Sequence, residues 1–215
     1  MSTVLAALAN DFFERVNAEL KPLGFRGSKS DQAFRIRTKT GTGVAHYAAV
    51  RHPGVDFAVQ LDFGVRIDAV EALTNDFPAS LNPARRKKVA TLGVGYGNLI
   101  QGSPISWTIA RAEDVPFAVD EFTSAVVSTG LPFFEKYSDM AKALQALGGN
   151  EPVHWELMPL HDKRASRSLI LAYLLRNRAV FDRLAKEHEE NLVARNHMGL
   201  DDFRALVADL REAWP

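Results

Sequence analysis

Between Val55 and Ile67 the residues alternate without a break. Val55, Phe57, Val59, Leu61, Phe63, Val65 and Ile67 fall on one parity, and Asp56, Ala58, Gln60, Asp62, Gly64 and Arg66 on the other. Period two is the signature of a half-buried strand, with one β-branched and aromatic face that must pack and one polar face that meets water or a polar partner. A slip of one residue would invert both faces, so the register is strongly specified.

The flanking sequence supplies partners for this strand. Phe34 and Ile36 alternate with Arg35 and Arg37 in a strand from about Ala33 to Lys39, and Thr40 to Gly43 carries a hairpin signal. Val44 to Arg51 is the returning strand, and Pro53 with Gly54 turns the chain into the long strand. Short turns make this an antiparallel meander. Ile105, Trp107 and Ile109 suggest a fourth main strand, while the glycine-dense stretch Thr91 to Ser103 reads as a loop or bulged strand.

Helices bracket the strands. Ser2 or Thr3 can cap a first helix whose apolar positions Leu5, Leu8, Phe12, Val16 and Leu20 share one face and which should end near Lys21, before Pro22. Asp68 can cap a short helix through Leu73, and Asn82 with Pro83 reads as the start of another. From Asp114 a helix places Val115, Val119, Phe122 and Val126 on one face until Gly130, Pro132 opens a short segment, and Ser138 can cap a helix through Leu147. Asn150 to Leu160 reads as an extended connection. Asp162 to Asn177, Arg178 to Asn196 and Leu200 to Trp214 read as helices. Strands followed by a run of helices is an α+β order.

The chain has 215 residues, 26 basic and 26 acidic, and no cysteine. Zero net charge argues against a dedicated nucleic-acid binder. The lack of cysteine removes disulfides, thiol catalysis and cysteine-ligated zinc together. The first residues read as an amphipathic helix rather than a signal peptide, and no apolar run approaches the roughly 20 residues that span a bilayer. A soluble, cytoplasmic protein without a membrane segment is the expectation.

In order along the chain, LKPLGFRGSKSDQAFRIR after the first helix, QLDFGV at positions 60–65, SPISWTI, LPFFEKYSD at 131–139 and LILAYLLRN at 169–177 resemble the domain of unknown function 4304 family. The cues span about residues 1–180. One tryptophan, Trp107, where that pattern has a doubled aromatic, and the glycine-rich 93–102 stretch depart from it. The resemblance implies an α+β bacterial protein in which binding of a partner, including neutralisation of a toxin, is the expected role. It carries over no site residue.

The polar face of the sheet is the first candidate site. Asp56, Gln60, Asp62 and Arg66 project together from the long strand, and Arg35 and Arg37 are candidates for the same side. The alternative is an ordinary solvated face whose charges pair across strands. Asp56 and Asp62 stand about 20 Å apart along one strand, too far for a glycosidase pair, which needs roughly 5–9.5 Å. GVGYG at 93–97 lacks the G-x-G-x-x-G spacing and a Walker lysine, and runs towards a strand with no expected helix. Arg85, Arg86, Lys87 and Lys88 lack interleaved aromatics and read as a solvated helix face.

Six histidines, His46, His52, His154, His161, His188 and His197, form no metal motif, although His46 and His52 could converge near Asp56. No G-x-S-x-G elbow occurs. Neither a metal nor a cofactor is expected. The stripe Phe203, Leu206, Val207, Leu210 and Trp214 either packs on its own domain or docks a partner, and Trp214 is its best sign of something unpaired.

These observations predict a twisted antiparallel sheet of about four or five strands with helices on one face. Residues 1–150 form the α+β core and residues 151–215 a C-terminal helical extension packed on it. The leading functional expectation is a non-enzymatic protein-binding module that uses the charged sheet face. The competing one is a small-molecule binder or hydrolytic enzyme, with a pocket between the sheet and the C-terminal helices that uses Asp62, Arg66 and histidines. A concave cavity with converging charges favours the second, and a broad surface with an exposed apolar centre the first.

Overall fold

The computed structural model describes residues 3–76, 88–149 and 152–214. Arg85, Arg86, Lys87 and the expected start of a helix at Asn82 and Pro83 lie outside the described residues, as does the cap expected at Ser2. The chain runs α1 (Thr3–Leu20), β1 (Arg26–Ser28), β2 (Ala33–Arg37), β3 (Gly41–His52), β4 (Asp56–Ile67) and α2 (Asp68–Asp76). Then come β5 (Leu92–Gly95), α3 (Tyr96–Gln101), β6 (Ser106–Ile109), α4 (Asp114–Ala125), α5 (Leu131–Tyr137), α6 (Met140–Gly148) and α7 (Pro152–Leu157). Three helices close the sequence: α8 (His161–Leu174), α9 (Arg178–Ala194) and α10 (Leu200–Glu212).

The architecture is α+β, built on a six-stranded antiparallel sheet in the order β1-β2-β3-β4-β5, with β6 also paired to β4. The two strands beyond the four main ones are short, β1 of three residues and β5 of four, too brief to show a periodicity. They exist because long neighbours offer unpaired backbone. β4 is the hub, pairing along its whole length with β3 and then sharing its other edge between β5 at Asp62–Val65 and β6 at Phe57–Gln60.

The parity of β4 is as its sequence dictates from Phe57 to Ile67, whereas Val55, expected on the same face, is exposed in the turn before the strand. Phe57, Val59, Leu61, Phe63, Val65 and Ile67 are all buried, and each contributes about 1.5–3 kcal/mol of apolar burial. α1 and α4 pack together on this inner face. Phe12 meets Tyr47 at 5.8 Å and Phe122 at 5.6 Å, both edge-on, and Phe13 stacks on Phe34 at 5.3 Å. α5 approaches the sheet so closely that a Cβ at Gly43 would stand 2.6 Å from the Phe134 ring, so only glycine fits there.

Gly130 does not end the helix that begins at Asp114. A π turn, Val126–Gly130, joins α4 to α5, with the Leu131 N–H reaching the Val126 carbonyl. Pro132 has no N–H to return to Ser128, and the wider turn carries the helix past that missing donor. The following cap is Asp139 rather than Ser138. Its carboxylate accepts from Ala141 N and Lys142 N, which holds its pKa below the usual range.

Of residues 91–103, expected as a loop or bulged strand, Leu92–Gly95 is a strand and Tyr96–Gln101 a helix. β5 leads directly into α3, whose Tyr96 stacks on Trp107 at 6.1 Å and meets Phe63 at 5.9 Å. Glycine composition disfavours a helix there, and aromatic packing overrides it. Residues 150–160 likewise contain α7, which is not an extended connection. Nor is Trp214 unpaired: it packs edge-on against Phe181 at 4.9 Å and Tyr173 at 5.4 Å, with Arg178 5.0 Å above its ring. Phe203, Leu206 and Leu210 are buried in the same core. No helix among the described residues is long and apolar enough to cross a membrane.

α8 and α9 enclose a histidine. Ser168 Oγ lies 2.9 Å from His188 Nε2. Burial, reinforced by the nearby Arg164 charge, pushes His188 down to about 4. Because the unfolded side chain titrates near 6.5, the unfolded chain binds a proton that the native one refuses between these values. His188 therefore stabilises the fold above that range, and its contribution falls away as pH drops from about 6.5 towards 4, by at most on the order of 3 kcal/mol. Urea denaturation across this window should give a steeper loss of stability for wild type than for His188→Gln. Parallel curves would refute the assignment.

Candidate functional site

Strand register places every charged residue singled out in the long strand and in β2 on one face. Arg35 pairs with Val44, and Val44 with Gly64; Arg37 pairs with Thr42, and Thr42 with Arg66. His46 stands opposite Asp62, Ala48 opposite Gln60, and His52 opposite Asp56. Alternation and antiparallel pairing are sufficient to produce this, since opposed residues share a face.

The face is nevertheless divided. At the hairpin end His52 Nδ1 lies 2.5 Å from Asp56 Oδ1. His46 pairs instead with Asp62, so the two histidines do not converge. At the opposite end Arg66 donates to Asp68 Oδ1 and to the Val89 carbonyl, and Arg37, 81% exposed, is 3.7 Å from Asp68. Gln60 sits in the row with Ser106 on β6.

Between these ends lies a cleft of about 550 Å³, and of the six predicted residues it takes in Arg35 and Asp62. Its floor is sheet backbone with small side chains, Ala33, Val44, Gly64 and Gly95. One wall is the segment leading into β5, where Ala90 lies over Gly64. A Cβ on Gly64 would come within 3.1 Å of the Ala90 methyl, so the glycine lets this wall settle onto the sheet. Glu156 of α7 and Pro159 close the side next to β5.

Six titratable groups line the cleft: Asp31, Arg35, His46, Asp62, Lys88 and Glu156. Asp31 serves two cations at once. Lys88 Nζ is 2.5 Å from its Oδ1 and Arg35 Nη1 is 3.2 Å from its Oδ2. The Lys88 hydrogen bond, with help from the Arg35 charge, holds the Asp31 carboxyl below its ordinary range, so it is ionised. Asp62 Oδ2 is 3.6 Å from His46 Nδ1, beyond a direct hydrogen bond, and its side chain is 52% exposed. Glu156 accepts one hydrogen bond, from Asn98 Nδ2 at 3.1 Å.

Sequence reasoning reached three of the six titratable groups, Arg35, His46 and Asp62, all on the alternating strands. Asp31 and Glu156 escaped it because each sits outside the alternating strands, and Lys88 because it reads as the end of a solvated basic run. Their only sequence signal is charge in a turn or connection, which is common on any surface. Among the described residues no group of three or more histidine and carboxylate side chains converges to hold a metal ion.

Comparison with protein-family models, with curated proteins and with solved structures finds no match to this chain.

Proposed function

We propose that the protein binds a small polar molecule in the cleft between the polar sheet face and α7. The observation that carries this reading is the convergence of six titratable side chains on one concavity of about 550 Å³, a volume typical of small-molecule sites. A protein-docking face would present an apolar centre inside a polar rim. Here the exposed Val50 and Val55 lie at the β3–β4 hairpin end, away from the charged cleft. Among the described residues that line the cleft there is no serine, threonine, tyrosine or cysteine, and its charged groups are spread around the concavity as ligand contacts.

A thermal-shift screen against a chemically broad panel of polar metabolites tests this. At least one compound should raise the melting temperature, and Val44→Trp, which places an indole on the cleft floor, should abolish that shift while leaving the unliganded protein folded. A shift that survives Val44→Trp would overturn the proposal. So would a silent panel accompanied by a protein partner retained from lysate by wild type and lost with Val44→Trp.

A further inference from the structure

Resting on the cleft as a small-molecule site, the charge arrangement points to its ligand class: we infer that it takes a zwitterion whose anionic end lies at Arg35 and Lys88 and whose cationic end lies at Asp62 and Glu156. The two walls are electrically opposite. On the β2 side, Arg35 and the ammonium of Lys88, which reaches over from the segment before β5, share the single carboxylate of Asp31. One negative charge cannot neutralise two cations, and a guanidinium with five N–H donors and an ammonium with three retain donors beyond their bonds to Asp31. On the β4 and β5 side stand two carboxylates, Asp62 and Glu156. Each offers about four lone-pair positions, against one donor from Asn98 to Glu156 and a histidine beyond hydrogen-bond distance of Asp62.

The spacing fits a ligand with separated charges. Arg35 and Asp62 are two strands apart and one two-residue step out of line. Their Cα atoms are therefore about 12 Å apart across the sheet, taking the usual strand spacing and rise. The floor between them, Val44 with the buried Ala33 beside it, is apolar and low, suited to an aliphatic spacer. A ligand with one charge would satisfy one wall and desolvate the other without return.

Isothermal titration with ε-aminocaproate, caproate and hexylamine separates the cases, because the three share a chain and differ in their termini. The zwitterion should bind measurably, and each single-charge analogue should bind at least tenfold more weakly. Arg35→Gln and Glu156→Gln should each weaken ε-aminocaproate at least tenfold, with melting temperatures checked to confirm folding. Equal binding of caproate or hexylamine, or no binding of ε-aminocaproate, would overturn the inference. If a non-zwitterionic compound from the metabolite panel binds in a manner blocked by Val44→Trp, this inference fails while the cleft remains a binding site. If Val44→Trp changes nothing, both fail.

Discussion

Glu71→Ala should destabilise the protein by about 3–5 kcal/mol, the cost of leaving a buried charge without its partner. Glu71 on α2 and Arg167 on α8 are both buried, and they meet through two bonds, Nε to Oε1 at 2.8 Å and Nη2 to Oε2 at 3.2 Å. Thr91 completes the site: its hydroxyl donates to Glu71 Oε1 and accepts from the Ile67 backbone N–H, each at 2.9 Å. The end of β4, the start of β5, α2 and α8 are thereby tied at one point. Removing the carboxylate strands a guanidinium away from water and undoes the Thr91 contact. Arg167→Met should cost a similar amount for the reciprocal reason. The double replacement Glu71→Leu, Arg167→Met should recover most of the loss, because neither desolvated charge then remains. Urea unfolding of the four proteins gives the coupling directly. Single replacements costing less than about 1 kcal/mol would show that water reaches the pair.

Arg164→Met is expected to cost about 3–5 kcal/mol, near the low end of about 1–3 kcal/mol for each carbonyl left bare because two of the three are only partly buried. Arg164 is the largest fully buried side chain among the described residues. Its guanidinium donates to the carbonyls of Ala146, Gly149 and His154, and stacks 4.3 Å over the Trp155 ring. Burial lowers its pKa to about 10, which still leaves it charged at neutral pH. The acceptors are carbonyls at the end of α6 and within α7, where a cation also opposes the negative end of α6. Arg164→Lys should lose much of the same energy, since an ammonium cannot reproduce the planar fork or the stacking. α7 carries Glu156, so hydrogen exchange across residues 152–157 should accelerate in Arg164→Met and the cleft should bind less tightly. Unchanged exchange there would separate Arg164 from the positioning of α7.

Both contacts join residues that nothing in the sequence associates. Glu71 and Arg167 are 96 positions apart, and Arg164 reads as one more polar residue at the start of a helix. A buried ion pair has no periodicity, and its partners are chosen by how helices dock. The cleft divides along the same line. Arg35 and Asp62 were legible because alternation fixes the face of a strand residue, and register then brings the rows together. Asp31, Lys88 and Glu156 were not, because their positions depend on how a turn, the segment before β5 and α7 fold over the sheet.

The long strand β4, its two faces, the meander around it, the amphipathic α1 and the succession of helices are all written in local residue patterns. Those properties follow from local spacing: a period of two or of 3.6 residues leaves an apolar stripe that must be buried. The formation of α3 and α7, the packing of Trp214 and the conversion of part of the polar face into a charged cleft come from long-range packing. Each of these depends on contacts between segments far apart in the chain, and packing or a buried counter-charge there outweighs local preferences that differ by only about 1 kcal/mol per residue.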